Sequence, residues 1–208
     1  MSIDFAAMTH HARDIARYLI GIGFSTDSPE ESVLICPLRL QKLLYYCQGW
    51  SLALLNRPLF HEAIEAWSYG PVIADVYNQF KGKSDGIRPD EAGESTTLLL
   101  ESERNVIELV WQHYSGCTPG QLIKKTHDEP AWRDARAGLE PNEKSSNALS
   151  LETMKDYFCK AARSMTSRNG FPMPVPSEVW AADEEYERTT GATLQEAILR
   201  AKSLRAVA

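Results

Sequence analysis

Apolar residues recur at three- and four-residue intervals through most of the chain, and that spacing predicts helices. Residues 8–22 put Ala12, Ile15, Ala16, Leu19 and Ile22 on one stripe, and a polar loop, STDSPEES, follows at 25–32. Pro37 suits the first turn of the next helix, where its missing N–H costs nothing. In that helix Leu40, Leu43, Leu44, Cys47, Ser51 and Leu54 share a face, and Leu38, Tyr45, Leu52 and Leu55 widen it. A helix apolar on most sides belongs at the centre of the core. Asn56-Arg57-Pro58 ends it. Ala63, Ile64 and Trp67 then fit either a short helix or a strand, and Pro71 is expected to start a helix that Gly82 stops.

Residues 82–96 read as a hydrophilic loop, with TTLLL after it as a short strand or a lead-in to a helix over 102–114. In that helix Ile107, Val110, Trp111 and Tyr114 should point inward. Thr118 and Gln121 have capping-box spacing and open a short helix ending near His127. Another runs to Gly138, a natural C-terminal stop. After the linker EPNEKSSN, Ser150 caps a helix with Leu151, Met154, Phe158, Ala161 and Met165 on one side. The pattern then changes. NGFPMPVPS should be extended and semi-rigid, and two amphipathic helices follow it, starting after Ser177 and Thr193. The fold class expected is all-α: one globular domain over 8–168 with at most a minor β-hairpin, then a C-terminal extension over 169–208.

Composition narrows the function classes. The 208 residues, 43% apolar and 24% charged, suit one soluble domain with a proper core. A net charge of −6 makes nucleic acid an unlikely main partner, since a basic footprint is expected there. No apolar run reaches membrane-spanning length, so no membrane partner is expected. The first residues lack a secretory pattern, and Cys36, Cys47, Cys117 and Cys159 show no CxxC pairing. Reduced thiols and a cytoplasmic location are the expectation.

Two stretches carry candidate chemistry. THDEPAW, residues 126–132, sets His127, Asp128 and Glu129 in succession. Consecutive side chains diverge, whereas a metal site needs three or four converging ligands; His10, His11 and His61 could join only through tertiary structure. A metal- or cysteine-dependent hydrolase centred on His127 is the alternative reading, although no nucleophile elbow or phosphate loop accompanies it. The economical reading is a helix–helix junction: His127 at one helix end, Asp128 capping the next, Glu129 and Pro130 in its first turn, and Trp132 anchoring the corner. The second stretch, AWSYGPVIADVY at 66–77, crowds Trp67, Tyr69 and Tyr77 around Gly70-Pro71. Such aromatics serve either a core or a binding hot spot. No cofactor motif appears.

Leu-Gln-Lys-Leu-Leu-Tyr-Tyr at 40–46, Ala-Trp-x-x-Gly-Pro-Val at 66–72 and Thr-His-x-Glu-x-x-Trp at 126–132 occur in that order. In this the chain resembles the Panacea domain, the SocA-like antitoxin family, which includes phage-associated proteins of the GepA type. The resemblance covers roughly residues 10–160. It implies a non-enzymatic antitoxin that neutralises a cognate toxin, encoded by an adjacent gene, through direct protein–protein contact. Some relatives are proteolytic adaptors that deliver the toxin to the ClpXP protease. The signature positions it marks are Gln41, Lys42, Tyr45, Trp67, Gly70, Pro71, Val72, His127, Glu129 and Trp132; Tyr69 and Tyr77 join them as candidate partner-binding residues. Leu43, Leu44 and Trp132 are expected to hold the fold, and Lys42 and Glu129 to lie at the surface.

Overall fold

The computed structural model describes residues 9–24, 32–93 and 98–166. The proline-rich spacer, the two helices expected after it and most of the polar loop at 25–31 lie outside the described residues. Within them the chain is mainly helical: α1 (Ala12–Gly23), α2 (Pro37–Leu54), β1 (Glu65–Trp67), β2 (Gly70–Val72), α3 (Ala74–Phe80), α4 (Pro89–Ala92), α5 (Glu101–Tyr114), α6 (Pro119–His127), α7 (Pro130–Ala135) and α8 (Leu151–Thr166).

Helix α2 is the spine the sequence predicts. It packs against α1, α3, α5, α6, α8 and β2, and every residue from Leu40 to Leu52 is buried. A helix enclosed on all sides needs close neighbours, and Gly49 supplies one approach. A Cβ there would lie 2.2 Å from the Phe158 ring of α8. That ring makes edge-to-face contacts with Tyr45, Tyr46 and Trp50, at centroid distances of 5.9, 6.1 and 5.1 Å, the arrangement aromatic quadrupoles favour. Tyr46 also stacks on Tyr114 of α5 at 3.8 Å.

Other expectations hold with shifted boundaries. Ile107, Val110 and Tyr114 are buried, and Trp111 packs partly against the core. The Thr118 hydroxyl accepts from Gln121 N while the Gln121 side chain accepts from Thr118 N, completing the capping box. Ser150 caps α8 through Thr153 N; Met154 and Phe158 are buried, but Leu151 at its start is 42% exposed. The expected loop at 82–96 contains the one-turn helix α4, and residues 98–100 lead into α5 without forming a strand.

The region around Pro71 departs from expectation. Pro71 does not start a helix; it lies in β2, paired with Ala66 across a two-residue turn at Ser68-Tyr69. Proline is tolerated because Ala66 and Pro71 face each other without exchanging hydrogen bonds. The Ala66 N–H instead donates to Asn147 O at 2.9 Å, and its carbonyl accepts from Arg136 Nη1 at 3.0 Å. Helix α3 begins three residues later, after Ile73 has donated its N–H to Gln41 Oε1 at 2.7 Å. A fixed φ near −65° serves an extended segment as well as a first helical turn. Side chains distant in sequence made the choice.

Candidate functional site

The three signature stretches converge. Gln41, Lys42, Tyr45 and Tyr46 come from α2, Gly70 and Pro71 from β2, and Glu129 from the junction between α6 and α7. Lys42 is 1% exposed and Glu129 4%, so the expectation that both lie at the surface is overturned. Their polar ends find partners inside the protein. Lys42 Nζ donates to the Pro71 carbonyl at 2.9 Å. Glu129 accepts from the Tyr45 hydroxyl at one oxygen and from the Tyr46 hydroxyl, at 3.0 Å, at the other. A buried polar group costs far less when hydrogen-bonded, which is how two charged residue types reside here.

Burial shapes their protonation. It raises Glu129 to about 7, opposed by the two tyrosine hydrogen bonds and the Lys125 charge. It also lowers Lys42 to about 7. Tyr45 and Tyr46 are pushed well above the ordinary phenol range, by burial first and then by the Glu129 charge, so both remain donors. Gly70 has φ +95°, and a Cβ on it would come within 2.9 Å of Lys42 Nζ and 2.8 Å of Thr126 Oγ1. Only glycine satisfies both the backbone and the space.

The THDEPAW stretch is the helix–helix junction expected, with its roles redistributed. Asp128 ends α6 rather than capping α7, and Glu129 occupies the α7 N-cap position with no side-chain cap bond. The Glu129 carboxylate is turned inward to the tyrosines instead. His127 stacks on Trp132 at 3.8 Å and 7°, and burial, then the Lys42 and Arg136 charges, lower its pKa. Trp132 anchors the corner as expected: its Nε1 donates to Trp67 O at 2.9 Å. Gln41 Nε2 and His127 Nε2 are buried without a hydrogen-bond partner among the described residues.

The aromatics at 66–77 divide. Trp67 meets Tyr77 edge to face at 4.9 Å and donates to Glu65 at 2.7 Å. Val72 is buried. Tyr69, at the hairpin turn, is 65% exposed. Gln41, Lys42, Tyr45, Gly70, Pro71 and Glu129 thus form a buried polar knot, with Trp67, His127 and Trp132 half-buried at its edge, and Tyr69 stands outside it, one residue from Gly70.

Two residues that sequence reasoning missed support this frame. Arg136 bonds the carbonyls of Ala66, Glu140, Pro141 and Glu143 and lies over the Trp132 ring. Gln48 accepts from Leu59 N and Phe60 N and donates to Phe60 O. Neither sits in a motif; a long polar side chain inside an apolar helical stretch was the signal available for Gln48.

Little supports a hydrolytic centre at His127. Cys47 is fully buried, and burial raises its thiol, away from a nucleophile's requirement. Among the described residues, the His/Cys/Asp/Glu group close enough to share a cation is His11, His61 and Glu62, not the THDEPAW stretch. Among them, too, no helix is long and apolar enough to cross a membrane.

Comparison with known proteins adds a family. Residues 40–133 match the model of the Antitoxin SocA-like, Panacea domain. A 69-residue stretch is 41% identical to Antitoxin SocA of Caulobacter vibrioides (strain NA1000 / CB15N), covering 33% of this chain and 34% of that protein. The match therefore spans about a third of the curated relative's length. No solved structure matches.

Proposed function

We propose, from the SocA-like Panacea domain that residues 40–133 carry, that this protein is an antitoxin that neutralises a toxin encoded by an adjacent gene through direct binding. The observation that carries the reading is the contrast at the hairpin: Lys42, Tyr45 and Glu129 are locked inside, while Tyr69 is held outward on the turn beside them. An exposed tyrosine on a rigid support loses little entropy on docking, and tyrosine is enriched among residues that dominate binding energy. In this reading Gln41, Lys42, Tyr45, Gly70, Pro71, Val72, His127, Glu129 and Trp132 act by holding the frame. Tyr69, with the half-buried Trp67 and Tyr77 beside it, meets the toxin. No catalytic step and no cofactor is required, and the protein works in the cytoplasm.

The domain boundary belongs to the same proposal. Residues 8–168 form the toxin-binding domain, and 169–208 are an appendage that folding does not require. Delivery of the bound toxin to ClpXP is the finer form of the reading. It predicts toxin loss that depends on both this protein and the protease, whereas masking alone predicts stable toxin.

The test is co-expression of the neighbouring open reading frame with the full chain or with Tyr69→Ala. The reading expects growth with the full chain and arrest with the variant at equal soluble levels. Growth arrest with both, or survival without this protein, contradicts it.

A further inference from the structure

We propose that His11, His61 and Glu62 form a binding site for a divalent cation of the zinc class. This does not depend on the antitoxin reading. His11 immediately precedes α1, while His61 and Glu62 lie about fifty positions away in the connection between α2 and β1; the fold brings them together. One donor atom from each lies within 4.8 Å of the others. His11 Nδ1 is 3.0 Å and His61 Nε2 3.7 Å from the same Glu62 oxygen, and the two imidazoles meet edge to face at 4.5 Å.

The two segments carrying these donors are fixed by their backbones. His10 N donates to Leu59 O at 3.0 Å, and His61 N donates to His10 O at 3.3 Å. Behind them His10 and Arg57 both pair with the buried Glu103, at 2.8 and 3.3 Å. Glu62 is anchored further, because its second oxygen accepts from Ala12 N at 2.8 Å. The carboxylate is therefore largely preset, with its side chain 14% exposed, while the imidazoles are 53% and 50% exposed.

Tetrahedral zinc with bonds of about 2.0–2.1 Å requires donors roughly 3.4 Å apart. The present separations are at most 4.8 Å, so the donors have to close by no more than roughly 1.4 Å to meet that geometry. Two imidazoles and one carboxylate are donors that suit zinc and its neighbours rather than calcium or magnesium. The positive end of the α1 dipole opposes a cation there, and the Glu62 carboxylate offsets it. Three protein donors leave a fourth position open on the solvent side, for water or a partner's side chain. A bound ion would staple residues 10–12 to 59–62 and raise the stability of the whole domain.

The test uses the full chain stripped by a chelator and titrated with Zn²⁺ by calorimetry, with thermal melting alongside. One equivalent should bind with micromolar or tighter affinity and raise the melting temperature. His11→Ala and His61→Ala should each weaken binding at least about tenfold while leaving the metal-free melting temperature close to that of the parent. If an alanine variant melts early without metal, His61→Gln replaces it, keeping a polar side chain of similar reach. Absence of saturable one-equivalent binding overturns the proposal. So does binding that survives either substitution, which would assign the ion to other groups, such as the half-buried cysteines.

Discussion

The knot around Glu129 and the corner around Glu62 are both built from ionisable residues that distant segments bring together, yet they are opposite in character. At the knot, Glu129 is 4% exposed and spends both oxygens on tyrosine hydroxyls. At the corner, Glu62 caps a helix and faces two half-exposed imidazoles. Enclosure drives the first set of groups toward neutrality and makes them part of the frame, as Glu129 and Lys42, both near 7, demonstrate. Solvent leaves the two imidazoles of the second set open to a ligand. A charged residue in a motif is therefore no guide to a contact surface: its burial and the partners already engaged decide.

The sharpest way to break this contrast is to disturb the frame sterically. Gly70→Ala puts a Cβ against Lys42 and Thr126 at a positive φ, and strain plus overpacking should cost about 4 kcal/mol in urea unfolding. An unchanged midpoint would show that the knot is looser than its geometry implies.

The pH dependence is nearly as large. Because the folded pKa of Glu129 lies above its ordinary value, the stability associated with this group is complete below about pH 4.5 and lost as pH rises to about 7. Glu129→Gln removes that loss, so between pH 4 and 8 the stability difference should move in the variant's favour by about 3 kcal/mol. The Tyr46 hydroxyl can reorient to accept from the new amide. A parallel pair of stability curves would mean that Glu129 ionises as an exposed carboxylate does. Lys42 has the reverse sign: its stability is complete above about pH 10.5 and lost as pH falls to about 7.

Trp132→Phe keeps the stack on His127 but removes the donor to Trp67 O, which should cost about 1 kcal/mol in the same assay. The corner gives the smallest effect. Without metal, His61→Ala should change stability by no more than about 0.5 kcal/mol, because half of the side chain is already in solvent. A larger loss would place His61 in the frame and dissolve the comparison.

Local patterns carried much of this architecture in the sequence. The broad apolar surface of 37–54 marked the spine, Thr118 and Gln121 marked a helix start, and THDEPAW marked a junction with Trp132 as its anchor. What was not legible depended on residues far apart in the chain. Pro71 reads as a helix start until Gln41 and Lys42 take hold of the extended segment after Gly70. Lys42 and Glu129 read as surface charges until Tyr45, Tyr46 and the Pro71 carbonyl meet them. His11 and His61 read as isolated until the backbone pairing of His10 with residues 59–61 brings them together.

The central claim is that the signature residues brace a docking face whose exposed element is Tyr69. Calorimetric titration of the adjacent gene's product with the full chain and with Tyr69→Ala, at a pH where both are folded, tests it most directly. The account predicts saturable binding by the parent and at least about a thirtyfold weaker affinity for the variant, the loss of a hot spot worth roughly 2 kcal/mol, with equal melting temperatures for the two proteins. Equal affinities would contradict it and move the contact surface elsewhere on the molecule.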